Sequence, residues 1–138
     1  MDIKGSMRKM LAAKIHRATV TAADVDYEGS ITVPPELLEA AGMHAYESVH
    51  VWNITRGSRL ETYTIAGTPG SNDICANGAA AHLIQPGDRV ILATFALIPA
   101  EEVHNHRAKL VFVDANNQIA HVGPELAGPQ TRDADEGG

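Results

Sequence analysis

Apolar and polar residues alternate with a period of two along most of this chain, in short segments separated by turn residues. Such alternation places successive side chains on opposite faces of the backbone and is typical of β-strands. A further segment is almost continuously apolar, which indicates a strand buried on both faces. The alternating segments are 10–21, 48–54, 59–65, 74–76 and 109–114, and the apolar one is 89–98. Their number and turn spacing predict a mainly β protein, a small barrel that closes its own edges.

The first alternating segment assigns its side chains to two faces. Lys14 and His16 fall on one face of the predicted strand. Leu11, Ala13 and Ile15 fall on the other. Because aromatic residues make up only 4% of the chain, we expect the core to be built from Val, Ile, Leu and Ala, and the β-branched members of that set favour strands.

Few helices are expected. Segment 34–42 has proline at its start and glycine just past its end, which is the asymmetry of a helix. A short helical turn is also predicted at 77–83, and Arg56-Gly57-Ser58 predicts a hairpin turn between two strands.

Length and charge limit the class of protein. A chain of 138 residues suffices for one compact domain. Its net charge of −6 disfavours nucleic acid and anionic membrane as partners, since both reward basic patches. We find neither a secretory segment nor an apolar run long enough to span a bilayer, which favours the cytoplasm.

The two ends differ in composition from the rest. Residues 1–6 precede a second methionine, Met7, and are interpreted as an expression leader. Residues 123–138 are rich in Gly, Pro, Asp and Glu and predict a flexible tail. A single β-barrel domain is therefore expected over residues 7–122.

The Gly29-Ser30 pair favours self-cleavage of the backbone. Gly29 has no Cβ and takes strained conformations at little steric cost. The Ser30 hydroxyl can then attack the Gly29 carbonyl carbon and convert the peptide bond to an ester. β-Elimination of that ester leaves a dehydroalanine, and its hydrolysis releases ammonia and leaves a pyruvoyl group. Gly-Ser pairs are also common in ordinary turns, so the pair alone does not decide between a cleavage site and a turn.

Five further segments accompany the one that contains this pair, and in this fixed order the six together closely resemble the bacterial L-aspartate α-decarboxylase family. The resemblance runs from about residue 7 to about residue 117. In chain order the segments are Lys14-Ile15-His16-Arg17, Tyr27-Glu28-Gly29-Ser30, Trp52-Asn53-Ile54-Thr55, Arg59-Leu60-Glu61-Thr62-Tyr63, Asn77-Gly78-Ala79-Ala80-Ala81-His82 and Pro86-Gly87-Asp88.

The resemblance implies a six-stranded double-psi β-barrel that cleaves itself between Gly29 and Ser30. It implies a covalent pyruvoyl cofactor derived from Ser30, which forms a Schiff base with the substrate amine and accepts electrons during decarboxylation. The implied reaction converts L-aspartate to β-alanine and CO2 for pantothenate synthesis. A homotetramer with active sites between subunits is also implied, and whether cleavage is spontaneous or needs an accessory maturation protein is left open.

Strand geometry and the resemblance together single out residues of the 59–63 segment. Arg59 and Tyr63 are four apart and so share a strand face. A guanidinium matches a carboxylate bidentately and a phenol can donate a proton. Arg59 resembles the family's substrate-carboxylate anchor, and Tyr63 its proton donor. Thr62 resembles the threonine that stabilises the Gly29 carbonyl oxygen during cleavage. Taken without the other motifs, Arg59 and Tyr63 also fit a solvated strand residue and a core residue.

The remaining expected site residues come from the same resemblance. Lys14 resembles a second carboxylate contact, and His16 a polar neighbour of the cleavage site. Asn77, Gly78, Ala79 and Ala80 resemble a loop that fixes first the cleaved ester and later the substrate. Tyr27 and Trp52 resemble walls of the pocket.

Other functions are weighed against this one. A non-catalytic barrel that binds a small molecule with an uncut chain is consistent with the strand pattern. A serine hydrolase based on Ser30 lacks a G-x-S-x-G elbow. His104 and His106 are two apart but lack a third ligand at a convincing spacing, so no metal site is expected.

Overall fold

The computed structural model of the protein describes residues 3–124, and these form nine strands, one α-helix and two 3₁₀-helices. Residues 1–2 of the predicted leader and 125–138 of the predicted tail lie outside the described residues. The strands are β1 (Met7–Thr19), β2 (Ala22–Asp24), β3 (Ser30–Val33), β4 (Ser48–Asn53), β5 (Arg59–Ala66), β6 (Cys75–Asn77), β7 (Arg89–Pro99), β8 (Lys109–Val113) and β9 (Ile119–Val122). The helix α1 spans Pro35–Ala41, and the 3₁₀-helices span Gly78–His82 and Ala100–Asn105.

The strands form one mixed sheet in the order β2-β6-β3-β5-β4-β7-β1-β8-β9. Three pairs are parallel, namely β1 with β8, β2 with β6, and β3 with β5. The other pairs are antiparallel, and the β4–β5 hairpin closes where the Gly57 N–H donates to the Asn53 carbonyl oxygen. The prediction of a mainly β fold is confirmed.

The core consists of aliphatic side chains that alternate along the strands, as the low aromatic content predicts. Among the largest fully buried side chains are Ile15, Val20, Ile31, Val33, Val49, Val51, Ile74, Ile84, Leu92 and Val111. The predicted helix at 34–42 is confirmed as α1, which ends where Gly42 adopts a left-handed φ of 71°. Among residues 3–124, no helix is long and apolar enough to cross a membrane.

The long strand β1 departs from simple alternation. Its pairing with β7 is irregular between Leu11 and Ala13, which oppose the adjacent residues Phe95 and Thr94. One extra residue in β1 therefore moves Leu11 to the face opposite that of Ala13. The prediction that Leu11 shares a face with Ala13 and Ile15 is wrong for this reason.

Strand β7 is buried on both faces over only part of its length. Val90, Leu92, Ala93 and Thr94 are buried, as predicted, whereas Leu97 is 65% exposed. The second half of β7 is therefore only partly buried, and the prediction is wrong there.

A buried carboxylate ties the β4–β5 hairpin to the turn before β7. Asp88 accepts hydrogen bonds at Oδ2 from Asn53 Nδ2 (2.8 Å), the Gln85 backbone N–H (2.9 Å) and Arg56 Nε (2.7 Å). Burial of this carboxyl opposes its ionisation, but the three donors outweigh it and lower the pKa of Asp88 from its ordinary 3.8.

We expect Asp88→Asn to lower the free energy of unfolding by about 1–3 kcal/mol near neutral pH, because it removes a charged acceptor that three donors share. A lowered folded-state pKa means that this contribution is present above the ordinary value of 3.8 and is lost as pH falls through the folded pKa. Urea unfolding between about pH 7 and about pH 3 measures both effects. Glu39→Gln on the exposed side of α1 is the control. If the free energy of unfolding fell equally with pH in Asp88→Asn and in the parent, Asp88 would not be a source of the pH dependence.

Candidate active site

Ser30 begins β3 and is buried between two other strands. Its Cα pairs with that of Asn77 on β6, and Ile31 pairs with Thr64 on β5. Ile31 and Val33 are fully buried in the core and draw this short strand into the sheet. Ser30 is only 2% exposed as a result. A hydroxyl with so little access to water depends on protein partners.

The side-chain amide of Asn77 is the main partner of that hydroxyl. Its Nδ2 donates to Ser30 Oγ (3.0 Å) and to Thr32 Oγ1 (2.9 Å). Its Oδ1 accepts from Cys75 Sγ (3.0 Å). Burial, followed by the nearby carboxylates of Asp24 and Asp73, raises the pKa of the Cys75 thiol, so the thiol keeps its proton and acts as the donor. These contacts orient the amide with its NH2 group towards Ser30.

The backbone around Gly29 packs directly against Gly78. Gly78 has a φ of +66°, and a Cβ added there would lie 2.6 Å from Gly29 Cα and 2.9 Å from the Tyr27 carbonyl oxygen. No side chain fits at such distances, so only glycine allows this approach. Gly78 therefore sets the position of the chain immediately before Ser30.

Ser30 opens into a groove of about 390 Å³ whose walls include three tyrosines. Tyr63 is 36% exposed in this groove. The groove is lined by Tyr27, Glu28, Ser30, Ala45, Tyr46, Tyr63, Ile65 and Ala66. Continuing the parallel β3–β5 register beyond Ile31 and Thr64 places Ser30 level with Tyr63 and Gly29 level with Thr62.

A second set of predicted residues, Lys14, Trp52 and Arg59, shares one face of the sheet, on which Arg59 is exposed and Lys14 is buried. Residues that oppose each other in neighbouring strands share a face. One such row joins Arg59 to Trp52 and Ile91, and the next joins Glu61 to His50, Ala93 and Lys14. The Arg59 guanidinium lies 5.0 Å from the centre of the Trp52 ring. This face therefore carries Lys14, Arg59 and Trp52 together.

Within one chain, these residues are separated from those that line the Ser30 groove. Arg59 and Tyr63 share a face of β5, but four residues of strand span about 13 Å. Lys14 and Arg59 lie on strands three places apart in the sheet, which corresponds to roughly 14 Å. Among the described residues, the lining of the Ser30 groove includes neither of these cations. The centroid of the His16 ring instead lies 5.3 Å from that of the Phe112 ring, where β1 pairs with β8.

Comparison with known proteins places this arrangement in context. A family model described as aspartate decarboxylase matches residues 6–120, which is most of the chain. The chain belongs to the aspartate decarboxylase family. The aspartate 1-decarboxylase of Rhodopirellula baltica is 69% identical over 130 residues, which cover 94% of this chain and 83% of that protein. Proteins of the same name are 57% identical in Legionella pneumophila strain Lens, over 91% of this chain and 94% of the relative, and 55% identical in Myxococcus xanthus, over 93% and 100%.

In this member of the aspartate decarboxylase family, sequence patterns missed several residues around the site. Cys75 and Thr32 hold the Asn77 amide, and a three-residue strand carries too little periodicity to reveal such contacts. Glu61 lies on β5 midway between Arg59 and Tyr63. Its carboxylate accepts from Ser48 Oγ at 2.7 Å, and this bond, then the charge of His50, lowers the pKa of Glu61.

No metal site accompanies the groove in the part of the chain that the structure describes. Within residues 3–124, no three His, Cys, Asp or Glu side chains are grouped so that they could hold a metal ion.

Proposed function

We propose that this protein decarboxylates L-aspartate to β-alanine and CO2, using a pyruvoyl group made from Ser30 by self-cleavage after Gly29. Membership of the aspartate decarboxylase family supports the reaction. The observation that carries the cofactor assignment is the buried Ser30 hydroxyl, held by the Asn77 amide beside a Gly29 backbone that packs on Gly78.

The surroundings of Ser30 fit a small covalent group. The residue is buried at the start of a strand, and the amide NH2 group of Asn77 faces its Oγ. In the proposed elimination Oγ would leave with the new Gly29 carboxylate, so the Asn77 amide would stabilise the departing oxygen, and the ketone oxygen would be added by water at the Cα of position 30. The ketone of a pyruvoyl group supplies an electrophile that ordinary side chains lack and accepts the electrons released when CO2 departs.

Three side chains of this chain would support cleavage. Asn77 holds the Ser30 oxygen while it approaches the Gly29 carbonyl carbon. Thr62, which the strand register places level with Gly29, would donate to the carbonyl oxygen as negative charge develops there. His16 packs on Phe112 and would act from further away.

The residues that bind substrate would come both from the Ser30 groove and from the sheet face that carries Arg59 and Lys14. Arg59 and Lys14 would hold the retained carboxylate, with Trp52 as an apolar wall. Tyr27 and the backbone of Gly78, Ala79 and Ala80 would line the side near the pyruvoyl group. Tyr63 would protonate the substrate carbon after CO2 leaves.

The separation of the Ser30 groove from Arg59 and Lys14 supports an assembly in which two subunits contribute to one site. Arg59 and Lys14 lie outside the groove of their own chain, so a neighbouring copy would bring them to Ser30. This agrees with a homotetramer that has intersubunit active sites. We also propose that the sheet is the family's six-stranded double-psi barrel with short added strands, and that the enzyme supplies β-alanine for pantothenate synthesis in the cytoplasm.

Intact mass spectrometry before and after borohydride treatment tests this function. The mature protein should consist of a fragment ending at Gly29 and a fragment that begins at position 30, and reduction should add the mass of a hydrogen molecule to the second one. Aspartate decarboxylation by a chain that remains entirely uncut would contradict the cofactor assignment. A cleaved chain that leaves L-aspartate unchanged would contradict the proposed substrate, and an uncut chain without activity would show only that maturation was incomplete.

We expect Gly78→Ala to slow self-cleavage by about 10²-fold, because a backbone shift of roughly 1 Å is needed to relieve its contact with Gly29. Gly57→Ala is the matched control. Gly57 also has a left-handed φ, of +79°, but an added Cβ there meets nothing within 4 Å. Both variants should lose thermal stability, while only Gly78→Ala should accumulate uncut chain on a denaturing gel. Equal cleavage rates in the two variants would show that the close approach of Gly78 to Gly29 is not needed.

A further inference from the structure

Tyr46 adopts a backbone conformation that its residue type disfavours. It is the third residue of a turn that begins at His44, in which the Glu47 N–H donates to the His44 carbonyl oxygen at 3.1 Å. Its φ is +70°, in the left-handed region. A turn with positive φ at this position favours glycine or asparagine, because a bulky side chain is strained there. Something other than turn formation must account for a tyrosine.

Burial does not account for it, because Tyr46 is 79% exposed. The backbone bonds of the turn do not require the ring either. The Tyr46 N–H donates to the Thr64 carbonyl oxygen at 2.7 Å, and the Thr64 N–H donates to the Glu47 carbonyl oxygen at 3.1 Å. Any residue except proline keeps both bonds. They attach the turn rigidly to β5 at the residue that follows Tyr63.

The Tyr46 ring contacts the Tyr63 ring within the Ser30 groove. It stacks on the Tyr63 ring with centroids 6.1 Å apart and planes inclined by 26°. Both rings line the groove into which Ser30 opens. Among residues 3–124, no side chain or backbone group forms a hydrogen bond that holds the Tyr63 hydroxyl in one place. The Tyr46 ring is therefore an aromatic neighbour that restrains the orientation of Tyr63.

We propose that Tyr46 is a positioning residue, whose ring holds the Tyr63 phenol at the mouth of the Ser30 groove and whose strained backbone is tolerated for that purpose. This inference rests on the proposed function, in which Tyr63 is the proton donor. Strained residues at functional sites persist when the surrounding structure over-determines them, and the two bonds to Thr64 provide that support here.

The proposal requires activity and stability to change in opposite directions. Tyr46→Asn suits a positive φ and should raise the unfolding midpoint by about 2–5 °C. It removes the stack, so kcat for L-aspartate should fall by about 3–10-fold, the range that an aromatic pair contributes, with a smaller change in KM. Tyr46→Phe keeps the ring and should restore the parent kcat. All proteins are compared in their cleaved form, with the cleaved fraction measured by intact mass.

A double variant separates an effect through Tyr63 from any other effect. In a Tyr63→Phe background the phenol is absent, so adding Tyr46→Asn should lower kcat no further. An additional loss in that background, an unchanged kcat in Tyr46→Asn, or a lowered unfolding midpoint in that variant would each overturn the proposal. The parent enzyme is the reference for the proposed function. If the cleaved parent made no β-alanine, the function itself would fail, whereas an active parent with an unaffected Tyr46→Asn variant would remove only the role of Tyr46.

Discussion

Ser30→Ala should leave the chain uncut and without decarboxylase activity. Alanine has no oxygen to attack the Gly29 carbonyl carbon and no leaving group for elimination, so neither the ester nor the ketone can form. The fold should persist, because Ser30 is a small residue and its neighbours Ile31 and Val33 keep their places in the core. Loss of the bond from Asn77 should lower the free energy of unfolding by only about 1–3 kcal/mol.

Asn77→Ala is the informative companion to Ser30→Ala. It removes the donor to Ser30 Oγ but retains the nucleophile, so cleavage should become slow rather than impossible. A denaturing gel followed over time distinguishes the two variants. Decarboxylation by uncut Ser30→Ala protein would show that the electrophile does not come from this residue.

Tyr63→Phe should cleave normally and then turn over L-aspartate about 10²–10⁴-fold more slowly, the usual contribution of a positioned general acid. The variant keeps the ring and its stack with Tyr46 and removes only the hydroxyl. In the β3–β5 register Tyr63 is level with Ser30, and it lines the same groove. Tyr27 also lines this groove, but it lies in the segment before β3 and not on a strand that pairs with it. Tyr27→Phe should therefore lose much less activity.

The proton transfer itself has a separate readout. In deuterated solvent the parent should label β-alanine on one face of the former α-carbon, and Tyr63→Phe should lose part of that stereochemical control because water replaces the phenol. Stereospecific labelling by Tyr63→Phe at the parent rate would assign the proton to another group.

Sequence patterns predicted the elements that are determined locally. Alternation located β4, β5 and β8 to within a residue or so, and the Pro and Gly at its two ends located α1. Strand β3 was missed, because it has four residues and begins at the serine of a Gly-Ser pair that resembles a turn. The bulge at Leu11 was missed for a related reason, since only pairing with β7 shows which residue is extra.

The candidate site depends mostly on contacts between distant parts of the chain. Ser30 and Asn77 are 47 residues apart, and no spacing rule brings them within 3.0 Å. The resemblance to a family singled out both residues, but the parallel pairing of β3 with β5 is what places Tyr63 beside Ser30. Tyr46 escaped notice because an exposed tyrosine is ordinary in sequence, and only its φ reveals it.

The place of the proposed cut in the sheet order has consequences for folding. Residues before Gly29 include β1, which lies in the interior of the sheet between β7 and β8, and β2, which pairs with β6. After cleavage, β1 and β2 would belong to one polypeptide, and the strands that pair with them, β7, β8 and β6, would belong to the other. Unfolding would then release two chains whose reassembly depends on their concentration, so the unfolding midpoint of mature protein would depend on protein concentration and variants would have to be compared at one concentration. The uncut precursor, such as Ser30→Ala, would be the form whose refolding stays unimolecular within each subunit.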